Sequence, residues 1–582
     1  MNDELKKQRH SLSHIMAQAV KSIYPKAKLG IGPAIDNGFY YDIDFGDEQI
    51  TDEVLPMLEE KMREIIKRDL SFIQSMKSRA DAVQFLNDKH EEYKVDMINN
   101  DIKDDEIGFY STGSEYIDMC EGPHVKSTGE IKLDSFKLSH LAGAYWKGDE
   151  KNKMLTRIYG LAFANKDELE QYVTMQEEAK KRDHRVLGQK LKLFTISELV
   201  GAGLPLMQPK GMIIRRTIEN YLWELHKNKG YSQVWTPHIA KEALYEKSGH
   251  AEKFGDALFR VQGKDEKFFM KPMNCPHHMQ IFADNQFSYK DMPVRYFEPT
   301  TVYRDEKSGQ LGGLTRVRSI TQDDGHLFCR MSQIRDEIRT ITGIIKEFHS
   351  KVGLLENYWV SLSVRGEDKS KYVGSDENWD AAEKILEDAA KENDLPYRRI
   401  EGEAAFYGPK LDFMFKDAIG REWQLSTIQC DFNLPIRFDL SYINEKGEKE
   451  KPVVIHRAIT GSLERFMGIL IEHFAGAFPL WLAPVQAEII PIGEKHTDYA
   501  KEILAKLNAA DIRAEVDTAD ERMQNKIRIA TEQKIPYMLI IGDKEMEKNV
   551  VAVRLRNGTD LGLMYIDELV ERLTKEIKEK TI

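Results

Sequence analysis

Three arginines and five acidic groups crowd one stretch of this 582-residue chain, FEPTTVYRDEKSGQLGGLTRVRSITQDDGHLF, which carries Arg304, Glu306, Arg316 and Arg318 around a Gly-rich turn and closes on Asp323 and Asp324. Arginine suits phosphate because its planar fork makes fixed bidentate hydrogen bonds and keeps its charge. The turn between the arginines would fold a hairpin over a nucleotide, although the stretch alone reads more readily as a surface hairpin of solvated ion pairs. A second stretch shifts that balance. HRAITGSLERFMGILIEHF sets a Gly-Ser turn just ahead of a helix with Arg465 near its start, and free N–H groups at a helix N-terminus beside an arginine make a natural phosphate site.

Two sets of metal-type ligands accompany these arginines. Cys275 in MKPMNCPHHM, His326 in TQDDGHLF and His456 in VVIHRAITG are too far apart to form a motif, and singly each is more often a core residue. Yet His326 and His456 lie just after and just before the arginine segments, so a metal held by the three would sit inside the same pocket. Three protein ligands with an open fourth position describe a metal that binds something. Near the N-terminus, His10 and His14 in RHSLSHIMAQAV lie one helical turn apart on one face. With 16 histidines in the chain such a pair is weak evidence, but Cys120 and His124 in IDMCEGPHV add a rarer Cys-x-x-x-His spacing within the same block. HSLSH lacks the glutamate of a zinc-protease helix.

The elements that must position these groups fall into three blocks and a connector. Residues 1–162 open with a helical pattern followed by LGIGPAIDNGFYYDIDF, which alternates like strands around turns. Residues 163–192 read as one long charged helix. Residues 193–482 mix strand-like runs such as VSLSVR and LDFMFKD with helices, as expected of an α+β domain on an antiparallel sheet. Residues 483–582 alternate strands and helices, which predicts a small α/β domain with a mostly parallel sheet.

Length implies two to four domains. No apolar run reaches the ~18–20 residues of a membrane span, and MNDELKKQRH has no apolar stretch behind its basic residues, so cytoplasm is the default. Four scattered cysteines, Cys120, Cys275, Cys329 and Cys430, make no disulfide framework. A net charge of −12 repels nucleic acid globally, so any RNA contact needs local basic surface. The basic run Ala179–Arg185 reads first as a solvated helix face.

Taken together, the segment ending in Pro237, the Arg304 hairpin and the Arg465 helix resemble the three signature motifs of class II aminoacyl-tRNA synthetases. The runs MNCPHHM, RVR-x-x-TQDD-x-H, FYGPKLDF, WQ-x-x-T-x-Q-x-DF and VxIHRA-x-x-GS-x-ERF are similar to the threonyl-tRNA synthetase family, over essentially the whole chain. The resemblance implies a multidomain α+β protein: an N-terminal α+β editing domain, a class II antiparallel-sheet catalytic domain that forms a homodimer, and a C-terminal α/β anticodon-binding domain. It implies a ligase that activates L-threonine with ATP and Mg²⁺, charges tRNA(Thr) and hydrolyses mischarged seryl-tRNA(Thr).

By the same resemblance Arg304 binds the α-phosphate, Arg316 and Arg465 the γ-phosphate, and Glu306 and Gln429 complete the ATP site. Cys275, His326 and His456 hold one Zn²⁺ that chelates threonine, Asp324 accepts from its hydroxyl, Gln322, Tyr407 and Gln424 surround it, and Lys410 lies by the reacting groups. His10, His14, Lys94, Asp118, Cys120 and His124 form the editing site, with or without a metal, and Glu545 and Arg554 read the anticodon. Three departures stand out. Ile320 occupies the slot where class II enzymes commonly stack phenylalanine on adenine, Asp520 replaces a usual asparagine, and the editing helix begins the chain where most bacterial members first carry a ubiquitin-like domain, implying a short or trimmed form.

Overall fold

The computed structural model describes residues 3–582 and divides into two compact units, Met1–Glu177 and Glu178–Ile582. The expected single connector helix is two helices, Lys166–Arg182 and His184–Lys190. They break at Asp183, whose carboxylate accepts the Arg185 N–H at 2.8 Å and caps the second helix. The division falls inside the first helix because its last turn already belongs to the second unit: Arg182 donates to the His473 carbonyl at 3.1 Å.

In the first unit the helix Asp3–Ile23 is buried from Ser11 to Val20, with the polar Ser11, Ser13, His14 and Gln18 enclosed among its apolar residues. It packs against the strand Gly38–Asp44 of a five-stranded sheet. A separate three-stranded sheet joins Phe72–Ser78, Glu106–Thr112 and Tyr116–Met119.

The second unit is built on an eight-stranded sheet. Its order is Tyr231–Gln233, Val294–Tyr303, Ser319–Cys329, Val453–Ala458, Glu422–Asp431, Lys410–Lys416, Tyr358–Val364 and Tyr397–Glu401. Pairing is antiparallel except at the two edge strands. The helices Pro209–Lys227, Ile334–Ser350 and Leu463–His473 share one core with this sheet. The first of them, whose amphipathic spacing ahead of Gly230 predicts a stop there, ends at Lys227 with Asn228 as its C-cap, and Gly230 at φ +74° turns the chain just beyond.

Register decides where the polar side chains meet. His326 lies opposite His456, His456 opposite Gln429, and Gln429 opposite Lys410. Directly opposed residues share a face, so these four form one lateral row across four adjacent strands.

The C-terminal sheet runs Ala514–Val516, Ala487–Pro491, Tyr537–Ile541, Val550–Leu555 and Asp560–Tyr565. It is mixed rather than mostly parallel, with two parallel and two antiparallel pairings. The link from Leu555 to Asp560 carries Gly558 at φ +91° and is too short for a crossover, so that pair can only be a hairpin. Among the described residues no helix is long and apolar enough to cross a membrane.

Candidate active sites

The lateral row brings Cys275, His326 and His456 together, with one ligand atom from each within 4.8 Å of the others. Cys275 opens the helix Cys275–Ala283, and the two histidines come from neighbouring strands. Hydrogen bonds behind each ring set its tautomer. His456 Nε2–H donates to Asp431 at 2.9 Å, leaving Nδ1 as a lone pair. His326 Nδ1 donates to His278 Nδ1 at 2.8 Å, and His278 Nε2–H donates to Glu298 at 3.0 Å. Burial alone would raise the Glu298 carboxyl, but His278, Asn274 and Lys271 pull it down to about 2, so it serves as an acceptor.

His326 Nε2 and His456 Nδ1 therefore face each other at 2.9 Å with lone pairs inward. Burial, followed by His456 and His278, keeps the His326 ring well below its usual range and hence neutral, and burial holds the Cys275 thiol well above its own. Two opposed lone pairs beside a thiol fit a soft divalent cation, which would also deprotonate the cysteine.

Around this set Tyr407 stacks on the His456 ring, 5.0 Å between centroids, and donates its hydroxyl to Gln429 at 2.5 Å. Asp324 is buried, and its Oδ2, 3.8 Å from His326 Nδ1, has no hydrogen-bond partner among the described residues. Its neighbour Asp323 has a different task, accepting from the N–H groups of Ile459, Thr460 and Gly461 at 2.7–3.0 Å and from the Thr460 hydroxyl at 2.9 Å. Lys410 pairs with Asp412. Gln322 sits on the hairpin strand, bridged to Ser462. Gln424 is not part of the group: it is exposed opposite Met414, ~16 Å along its strand from Gln429.

The arginines converge from separate elements. Arg304 is half-buried, its guanidinium 5.0 Å over the Phe254 ring and its Nε 3.4 Å from the Pro272 carbonyl. Arg316 forks onto Glu306 at 2.7 and 3.1 Å. Arg465, whose helix is capped by Ser462, donates to the Thr315 carbonyl at 3.0 Å. Burial first, and then Arg316, lower the Arg465 guanidinium below its ordinary value, a strain that an anion between the two would relieve. Ile320 is half-buried on the hairpin opposite Val302.

In the first unit His10, His14, Cys120 and His124 bring one ligand atom each within 4.8 Å. Cys120 Sγ lies 3.3 Å from His10 Nε2 and 3.4 Å from His124 Nε2. Burial lowers the His14 ring to about 3 and, with His14 and His10 adding, the His124 ring to about 2, while it raises the Cys120 thiol to about 11. All four are uncharged at neutral pH. Below them Lys94 pairs with Asp118 at 3.0 Å and donates to the Tyr41 hydroxyl at 2.9 Å, and Tyr41 donates to Asp118 at 2.5 Å. Burial would raise Asp118, but Lys94 and His14 hold it at about 2. His10, His14, Tyr41, Lys94 and Cys120 line a cavity of about 380 Å³.

The chain matches, at residues 259–474, a family described as "tRNA synthetase class II core domain (G, H, P, S and T)". Residues 486–576 match "Anticodon binding domain", and residues 107–159 match "Threonyl and Alanyl tRNA synthetase second additional domain". Proteins named threonine–tRNA ligase from Clostridium novyi and Thermus thermophilus are 49% and 47% identical over 98% and 99% of this chain, covering 88% and 89% of their own lengths. The chain belongs to the threonine–tRNA ligase family. Among solved structures, the RNA binding domain of threonyl-tRNA synthetase from Cryptosporidium parvum superposes with TM-score 0.65 at 33% identity, over 68% of this chain and 98% of that one. A putative threonyl-tRNA synthetase from Aeropyrum pernix gives 0.60 at 30%, over 69% and 97%.

Within this family frame, the two anticodon candidates stand apart in character. Glu545 accepts the Gly542 N–H at 2.9 Å and so caps its own short helix. Arg554 is exposed on the strand Val550–Leu555. Sequence reasoning missed Tyr41, Phe254, His278 and Glu298. His278 lies inside MNCPHHM and Glu298 inside FEPTTVYRDE, but nothing in either run gave them a role; Tyr41 is one of two adjacent tyrosines in an alternating strand, and its bonds to Asp118 and Lys94 distinguish it.

Proposed function

We propose that the chain activates L-threonine with ATP to threonyl-adenylate, transfers it to tRNA(Thr) and hydrolyses mischarged seryl-tRNA(Thr). Substrate choice is carried by the juxtaposition of the unpartnered Asp324 oxygen with Cys275, His326 and His456. Those three would hold Zn²⁺, which when bound supplies a Lewis acid for the amino and hydroxyl groups of threonine. Asp324 accepts from the hydroxyl, Tyr407 closes the pocket, and Gln429, read from the sequence as an ATP contact, holds the Tyr407 hydroxyl. Valine offers a methyl there and leaves a buried carboxylate unsatisfied, a loss that can reach ~10⁴–10⁵ in discrimination.

Arg304 takes the α-phosphate, which comes as ATP with Mg²⁺, and Arg316 and Arg465 take the γ-phosphate, so that Glu306 exchanges its fork partner on binding. The threonine carboxylate attacks the α-phosphorus in line while pyrophosphate leaves, and the arginines stabilise the charge developing there. Residues 193–482 form the catalytic domain, a homodimer whose contact includes the exposed Leu199 and Trp235 on either side of the helix Pro209–Lys227. Residues 483–582 read the anticodon through Arg554 and Glu545, and the chain works in the cytoplasm.

Serine keeps the hydroxyl and lacks one methyl, worth only about 1–3 kcal/mol, so a second sieve is required. In residues 1–162 His10, His14, Cys120 and His124 bind the terminal adenosine and position water against the ester, beside Lys94, which Asp118 and Tyr41 hold in place.

ATP–pyrophosphate exchange with threonine, serine and valine, before and after metal chelation, tests the reading. Threonine-dependent exchange that is lost on chelation and restored by Zn²⁺ is expected, with valine inert. No exchange from zinc-replete protein with threonine overturns it. In the same preparation, His10→Ala and Cys120→Ala should each release seryl-tRNA(Thr) undigested, and unimpaired deacylation in both removes the editing assignment.

A further inference from the structure

His184 opens the helix His184–Lys190 and is buried. Both its ring nitrogens are engaged. Nδ1–H donates to Glu472 Oε1 at 2.6 Å, and Nε2 accepts the backbone N–H of Leu314 at 2.9 Å. The His184 backbone N–H donates to the same Glu472 oxygen at 3.0 Å, and Arg421 takes the other. Asp183, His184 and Glu472 resemble a ligand cluster, but no lone pair of the ring is left for an ion.

Leu314 is the tip of the Gly-rich turn between Arg304 and Arg316. Its side chain is fully buried in the catalytic core. The backbone around it is shaped for this docking. Gly313 has φ +54°, and a Cβ there would come within 2.2 Å of His184 Nε2. Gly468, one turn along the helix from Arg465, leaves room for Leu314 Cβ, which a side chain at 468 would meet at 3.3 Å. The next residue, Thr315, offers its carbonyl to Arg465.

We infer that His184 is a positioning residue for ATP. It anchors the turn by the Leu314 amide so that Arg316 is already presented toward Arg465 before nucleotide arrives. This rests on the assignment of that hairpin to ATP. The acceptor at Nε2 is the working feature. Asparagine at 184 can mimic the Nδ1 donor but strands the Leu314 N–H in the core. Glutamine reaches the Nε2 position and can offer its oxygen there.

The full-length His184→Asn and His184→Gln proteins are compared by steady-state ATP–pyrophosphate exchange and by hydrogen–deuterium exchange of residues 311–318. His184→Asn is expected to raise the KM for ATP ~10-fold, the order of one buried donor left unmade, with the KM for threonine moving less than about twofold. Exchange of the Leu314 amide should accelerate by a similar factor, and His184→Gln should recover most of both. An unchanged Leu314 exchange rate, or equal rises in both KM values, overturns the inference. If wild-type protein shows no threonine-dependent exchange, the functional reading fails instead, while the amide measurement still decides whether His184 holds the turn.

Discussion

Ile320 is where a single side chain should move a measurable constant. It lies half-buried on the hairpin strand, opposite Val302 and next to Thr321, whose N–H is held by Glu464 at 2.7 Å. An aliphatic chain packs against adenine but forfeits ~0.5–1.5 kcal/mol of aromatic stacking. Ile320→Phe is therefore expected to lower the KM for ATP about 2- to 10-fold in pyrophosphate exchange, and an unchanged or raised value would sink the stacking argument. At this scale the sequence was informative where chemistry and rarity coincide. Cys275, His326 and His456 were singled out by type and do converge. Residue type alone did not separate the Asp323–Asp324 pair; the family resemblance assigned Asp324 to the pocket, and it is the tertiary fold that turns Asp323 toward the 459–461 turn and leaves an Asp324 oxygen unpartnered among the described residues. Gln424 and Gln429 illustrate the same limit. A β-bulge near Phe413 and Met414 intervenes between them, and alternation alone does not reveal it.

The turn before the Arg465 helix shows how an element is held for use. Asp323 receives three backbone N–H groups and a hydroxyl from residues 459–461, and Arg457 donates to its carbonyl at 2.6 Å. Gly461, at φ +68°, lets the chain reverse there. Asp323→Ala would leave those donors buried and unpaired and is expected to cost about 3–5 kcal/mol in denaturant unfolding. The KM for ATP should rise in whatever protein remains folded. A loss below ~1 kcal/mol would mean that water replaces the carboxylate without penalty. Helices with clear stops, such as Pro209–Lys227, were legible from periodicity and glycine. The break at Asp183 was not, because charge continues smoothly across it and the interruption is made by tertiary anchoring of the residue that follows.

The molecule as a whole also buries histidines that neither candidate site uses. His226 stacks on Phe297 and is lowered to about 2 by burial and then Arg457, and His349 stacks on Phe415 and is lowered to about 3 by burial. Each is neutral when folded, whereas the unfolded chain takes up a proton near the ordinary 6.5. Between that value and the depressed folded one the unfolded state binds more protons, so stability is full above pH ~6.5 and falls as acid is added, by about 2 kcal/mol per residue at pH 5. Thermal unfolding should show Tm dropping between pH 7 and pH 5, with His226→Leu shrinking the drop. A flat Tm would refute it. The fold class was readable at this scale from alternating patterns, but the C-terminal sheet was read as more parallel than it is. A strand pattern does not say how its neighbour returns.

Four adjacent strands each contribute one side chain to the row His326, His456, Gln429 and Lys410. A slip of two residues in any one of them would keep apolar groups inward and spare most of the core, yet it would carry one member of the row about 6–7 Å out of line. Since His326 and His456 are the row's two candidate metal ligands, metal uptake by refolded protein would report the register of their two strands, separating correctly paired molecules from compact ones that spectroscopy alone would score as native.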